Sequence, residues 1–168
     1  MFRTLRDYST LVVLAGGMLG GCSWFSHEPS VVIRDTRNVD IEISTSDKVN
    51  PNAFSQPQPV KVCVIETSKP GWTPGSISEG APCRDGPLED GVVSRNQSIL
   101  QPNQTWRYQL VVPAHQTRWI VVGAEFQQIN GALYLVEQKS SAKADSDIRV
   151  WIEMTALSVV ANDKKMDE

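Results

Sequence analysis

The chain has 168 residues, 40% of them hydrophobic, and a formal net charge of −3. That length suits one compact domain with a tether, and the mildly acidic balance excludes the basic surface that nucleic-acid binding requires. Only two histidines are present, so metal clusters and histidine-based triads lack parts.

Arg3 and Arg6 precede the apolar run Leu11-Val12-Val13-Leu14-Ala15, and small residues lead on to Leu19-Gly20-Gly21-Cys22. This is the layout of a bacterial lipoprotein signal peptide. Arginines hold the amino end on the cytoplasmic side, the apolar run enters the bilayer, and the Cys thiol receives the diacylglyceryl group before cleavage. The run is well short of the roughly 20 residues that span a bilayer. Residues 1–21 are therefore expected to be removed, leaving Cys22 as the lipidated first residue. In lipoproteins of this kind an Asp after the Cys keeps the protein in the inner membrane, so Ser23 points to the outer membrane, facing the periplasm. Residues 22–37 show no sustained period and read as a lipidated tether, with Trp24 and Phe25 next to the lipid and His27 solvated.

A sandwich domain is expected over 38–160. Val39, Ile41 and Ile43 alternate with Asp40, Glu42 and Ser44, and Val60, Val62 and Val64 alternate with Lys61, Cys63 and Ile65, which predicts two half-buried strands. Between them, Thr45 to Pro59 is too long for a tight hairpin and too rich in proline for a helix. It predicts an ordered, protruding loop. From Thr67 to Gly91, glycine and proline recur often enough to disfavour regular structure. With Cys22 lipidated, Cys63 and Cys83 remain as an even pair in an oxidising compartment. A disulfide between them would staple that excursion and contribute about 3 kcal/mol; two unpaired thiols are the alternative, and no CxxC or His pair supports a metal.

A turn at Pro102-Asn103 introduces a strand through Trp106, Tyr108, Leu110 and Val112. Trp119 to Ala124 is apolar on both parities, as expected of a central strand covered on both faces. Asn130-Gly131 is the strongest hairpin dipeptide present, predicting that Glu125–Gln128 pairs with Leu133–Gln138. Ile148, Val150, Ile152 and Met154 mark a last long strand, and 161–168 is a charged tail. Some seven strands without a convincing helix predict an all-β, two-sheet β-sandwich with long inter-strand loops.

Catalytic parts are scarce. His115 lies in a turn-like Pro113-Ala114-His115-Gln116, Asp145-Ser146-Asp147 lacks the Gly and terminal Glu of a calcium loop, and Glu125 reads as a strand-end carboxylate. No enzyme, cofactor, metal or small-molecule substrate is expected.

The alternating first strand, Asn50-Pro51-Asn52 leading to Gln58-Pro59-Val60-Lys61-Val62, the Leu100-Gln101-Pro102 turn and Ile120-Val121-Val122-Gly123-Ala124-Glu125-Phe126 together resemble the TssJ family, the outer-membrane lipoproteins of type VI secretion systems. The resemblance implies a transthyretin-like sandwich that binds the periplasmic domain of an inner-membrane scaffold protein, TssM, and tethers it to the outer membrane through Cys22. The expected contacts are Asn50, Pro51, Asn52, Phe54, Gln56 and Gln58 on the first long loop. Proline limits the entropy lost on docking, the amides can hydrogen-bond both ways, and Phe54 has little core to enter unless it folds back on the sandwich. Another envelope assembly or ligand-binding lipoprotein is the alternative, which the gene neighbourhood would discriminate.

Overall fold

The computed structural model describes residues 35–160. Cys22, Ser23, the leader and the charged tail lie outside the described residues.

Eight strands form two four-stranded sheets. Their order along the chain is β1 (Thr36–Thr45), β2 (Val60–Thr67), β3 (Val92–Leu100), β4 (Thr105–Pro113), β5 (Arg118–Glu125), β6 (Leu135–Ser140), β7 (Ser146–Glu153) and β8 (Ala156–Val160). One sheet has the order β4-β1-β7-β8 and the other β3-β2-β5-β6. The all-β sandwich expected from the alternation is present. Val39, Ile41 and Ile43 of β1 face Val60, Val62 and Val64 of β2 across a core completed by Ile120, Val122, Ile148, Val150 and Ile152. Alternation places one face of each strand inside, and burial of such side chains supplies the main driving force for folding. Among the described residues no helix is long and apolar enough to cross a membrane.

β5 is an inner strand of its sheet, and the cause of its double-sided apolarity is the excursion between β2 and β3. Irregular apart from a short 3-10 helix at Gly75–Glu79, this segment covers the outer face of the second sheet. Cys63, Ile65, Cys83 and Val121 form a separate small core there, with Trp72, Val92 and Leu135 packed against it. Cys63 and Cys83 are bonded with a Cα–Cα distance of 5.4 Å, inside the usual range. Beneath the staple lies Gly123, where a Cβ would approach Cys63 Sγ to 3.0 Å and Pro82 Cβ to 3.2 Å, so only glycine lets the excursion lie this close. Replacing both cysteines by Ser is expected to lower stability by about 3 kcal/mol for a closed loop of 20 positions. Urea unfolding measures it, and a loss below 1 kcal/mol would show that the excursion holds to the sheet without its covalent link.

Two strands escape the alternation rule. β3 turns Ser94, Asn96 and Ser98 inward and Val93 and Ile99 outward, the inverse of the usual pattern, with Ser94 bonded to Glu66 and Asn96 to Tyr108. β8 is a five-residue edge strand. The hairpin expected at Asn130-Gly131 is also corrected. β5 and β6 pair from Arg118↔Ser140 to Gly123↔Leu135, and the chain then opens into a wide loop instead of closing on a two-residue turn. Only Gly131 of the dipeptide has positive φ, whereas a type I′ turn needs both residues there. Ala124 N still donates to Tyr134 O at 2.9 Å, and beyond it Phe126 is buried in the core with Tyr134 packed beside it, ring centroids 6.3 Å apart. Leu133 instead bridges to Ala156 and so joins the edges of the two sheets.

The core is plugged with charge where the chain enters β1. Arg118 Nε donates to Glu66 Oε1 at 2.9 Å, Ser94 Oγ donates to Glu66 Oε2 at 3.0 Å, and the buried Arg37 guanidinium donates to Ser140 Oγ at 2.5 Å and Gln116 O at 3.0 Å. Burial, and next the like charge of Arg118, hold the Arg37 pKa below its ordinary value.

Candidate docking surface

The opposite end of the sandwich is closed by amides. β1 stops at Thr45, whose Oγ1 donates to Gln101 O at 2.7 Å and accepts from Gln104 N at 3.0 Å, tying the β1–β2 loop to the β3–β4 turn. Asn50 goes deeper. Its side chain donates to Pro59 O at 2.5 Å and accepts from Gln127 N at 2.7 Å, while its own N–H donates to Met154 O at 2.7 Å. The left-handed backbone at Asn50 (φ 48) suits a residue whose short polar side chain offsets the steric cost. Beyond it, Asn52 Oδ1 accepts from Phe54 N at 2.9 Å and Gln56 N at 3.0 Å, a side-chain turn of the kind asparagine favours. Gln128 Nε2 reaches back to Pro51 O and Asn52 O, both at 3.1 Å.

These bonds divide the six expected contact residues. Asn50 and Pro51 are buried, and the Asn50 amide is bonded to Pro59 and Gln127 inside the fold. Asn52 and Gln58 are half-buried and bonded within the loop. Phe54 stands at the apex, 83% exposed, and does not fold back on the sandwich; Gln56 is exposed beside it. An isolated exposed apolar residue is unremarkable on a surface. This one is held out by two hydrogen bonds from Asn52 to its own loop.

The remaining candidates have structural places. Glu125 accepts the Cys83 N–H at 3.1 Å, His115 occupies a left-handed turn with φ 64, and Asp145 accepts the Asn38 N–H at 2.7 Å. A depression of about 340 Å³ lies on the outer face of the first sheet, where Arg107 meets Glu42 at 2.9 Å and Gln109 meets Asp40 at 2.7 Å. Such rungs are cross-strand pairs of a solvated face. Among the described residues no group of His, Cys, Asp or Glu is placed to hold a metal ion.

The sequence profile of the family described as type VI secretion lipoprotein, VasD, EvfM, TssJ matches residues 37–155. The chain belongs to the type VI secretion lipoprotein family. The fold agrees with solved structures at low sequence identity. The T6SS lipoprotein TssJ1 from Pseudomonas aeruginosa is 16% identical with a TM-score of 0.62, over 75% of this chain and 96% of that one. Serratia marcescens Lip, a membrane-bound component of the type VI secretion system, is 17% identical with a TM-score of 0.60, over 75% and 97%. A chain of a structure described as a type VI membrane complex aligns with a TM-score of 0.58 at 12% identity, over 74% and 98%. No curated protein sequence matches. The match to the lipoprotein family begins at Arg37, the residue that opens the charged plug.

Proposed function

We propose that this type VI secretion lipoprotein is anchored in the outer membrane by acylated Cys22, after removal of residues 1–21, and holds the periplasmic domain of a TssM-like inner-membrane scaffold protein through its β1–β2 loop. Its role is structural: it joins two membranes and transforms no substrate. The observation that supports this reading best is Phe54, an aromatic side chain 83% exposed at the tip of a loop whose backbone is fixed from inside by Asn50 and Asn52. Aromatic anchors presented on a rigid support lose little entropy on docking. The direction also fits. The ten residues of β1, at about 3.3 Å each, set the loop about 30 Å from the end at which the chain enters the sandwich.

Capture of the scaffold's purified periplasmic domain tests the reading. Phe54→Ala is expected to weaken binding by about 2 kcal/mol, close to thirtyfold, with a nearly unchanged melting temperature because the side chain buries little surface in the fold. Undiminished capture by folded Phe54→Ala would move the interface off this loop. Deleting residues 50–55 is a poorer test, since it also removes the Asn50 bonds to Pro59, Gln127 and Met154.

A further inference from the structure

We infer that the partner is gripped by a composite rim of little charge contributed by the β1–β2 loop, the β5–β6 loop and the β7–β8 turn together, with Leu133 and Met154 as anchors in addition to Phe54. This rests on the scaffold-binding reading and extends it to the chemistry of the interface. Three observations converge. First, the loops are one hydrogen-bonded body: Asn50 joins the β1–β2 loop to Met154 O and Gln127 N at 2.7 Å each, and Leu133 N donates to Thr155 O at 3.0 Å. Secondly, four of the described non-glycine residues with positive φ, Asn50, Ser55, Asn103 and Met154, sit at this end, with only His115 elsewhere. Strained backbone persists where its surroundings over-determine it, and it concentrates at clamps. For Met154 there is no local polar compensation, yet its side chain is 51% exposed, and that of Leu133 is 59% exposed.

Thirdly, the charged residues across loops 46–59, 101–104, 126–134 and 154–155 are Asp47 and Lys48 alone. A lipid headgroup surface or a polyanion would call for clustered lysine and arginine. A rim of amides and apolar knobs instead fits a protein surface that accepts hydrogen bonds and buries apolar side chains, and it faces away from the end at which the chain enters β1. The occupant is therefore the scaffold's periplasmic domain, and its complementary patch carries little charge. Binding between uncharged patches is insensitive to ionic strength.

The experiment measures the affinity of the mature lipoprotein for that domain across about 50 to 500 mM salt. Wild type is compared with Phe54→Ala, Met154→Gly, Leu133→Ser and, on the outer face of β4, Val111→Ser. Glycine accepts the φ of 49 at position 154 and so removes the side chain without endangering the turn; melting curves verify each fold. The expected result is at least a tenfold loss for Met154→Gly and for Leu133→Ser, no change for Val111→Ser, and less than about a threefold change in wild-type Kd over the salt range. Wild-type affinity in Met154→Gly and Leu133→Ser with loss in Phe54→Ala would overturn the composite rim and leave the loop reading intact. Unaltered binding in all of them would overturn both readings. A steep salt dependence would overturn the interface of little charge, and a dimer of this chain abolished by Met154→Gly would assign the rim to a second copy.

Discussion

Cys22→Ser protein is expected to leave the membrane fraction completely, to incorporate no palmitate, and still to capture the scaffold domain as well as wild type. The effect is large because the anchor is additive in methylenes: each buried CH₂ contributes about 0.8 kcal/mol, and stable attachment takes more than one chain. Serine ends the reaction at its first step, since the diacylglyceryl group is transferred to a thiol. The two other cysteines offer no substitute, because Cys63 and Cys83 are bonded to each other and wholly buried. Retained capture follows from the placement of the rim at the far end of β1. Palmitate label equal to wild type in the variant would end the lipoprotein reading of the leader, and loss of capture would show that the sandwich depends on its anchor for folding.

Glu66→Ala is expected to cost about 4 kcal/mol, within the range for removing one partner of a buried ion pair. The carboxylate side chain is 6% exposed and that of Arg118 is 14% exposed, so the guanidinium left behind stays inside with no anionic partner, and Arg37 lies close enough to add its like charge. Glu66 also accepts from Ser94 at 3.0 Å, which loosens the end of β3 when lost. A well-packed apolar replacement of the whole pair would cost far less, because the penalty comes from the orphaned charge and not from the missing attraction. Urea unfolding of Glu66→Ala, with the Glu66→Ala/Arg118→Leu double variant, separates the two. A single variant within 1 kcal/mol of wild type would mean that water reaches the plug and solvates Arg118.

Alternation was enough to find β1, β2, β4 and β7, an apolar run on both parities marked β5, the Asn130-Gly131 signal led to β6, and the Gly/Pro density between Thr67 and Gly91 predicted an irregular excursion. Legibility failed where side chains are satisfied by distant partners. β3 hides its polar inner face behind Tyr108 and Glu66, so local sequence shows no stripe. Asn130-Gly131 carries a hairpin signal, yet only Gly131 takes positive φ and the chain between β5 and β6 forms a wide loop. At the candidate site, the length and composition of the β1–β2 stretch predicted an ordered loop, yet one-dimensional reading could not separate Asn50, which points in, from Phe54, which points out. That distinction is made by Pro59, Gln127 and Met154, and the last two are far away in sequence. Met154 and Leu133 were invisible as rim residues for the same reason, having been read as members of strands.

The parallel pairing of β1 with β7 has a consequence for how the protein is made. β1 occupies an interior place in its sheet, between β4 and β7, yet it is synthesised first, and its contact between Asn38 and Asp145 closes over 107 positions. Neighbours such as β7 and β8 can zip locally within microseconds, whereas β1 pairs with β4 far along the chain and with β7 later still, so both pairings carry loop-closure entropy. Until both β4 and β7 are in place, β1 with Val39, Ile41 and Ile43 leaves at least one strand edge open, the kind of surface that recruits other chains. Completion of the first sheet is accordingly a late step, since β1 gains its second neighbour only when β7 is in place.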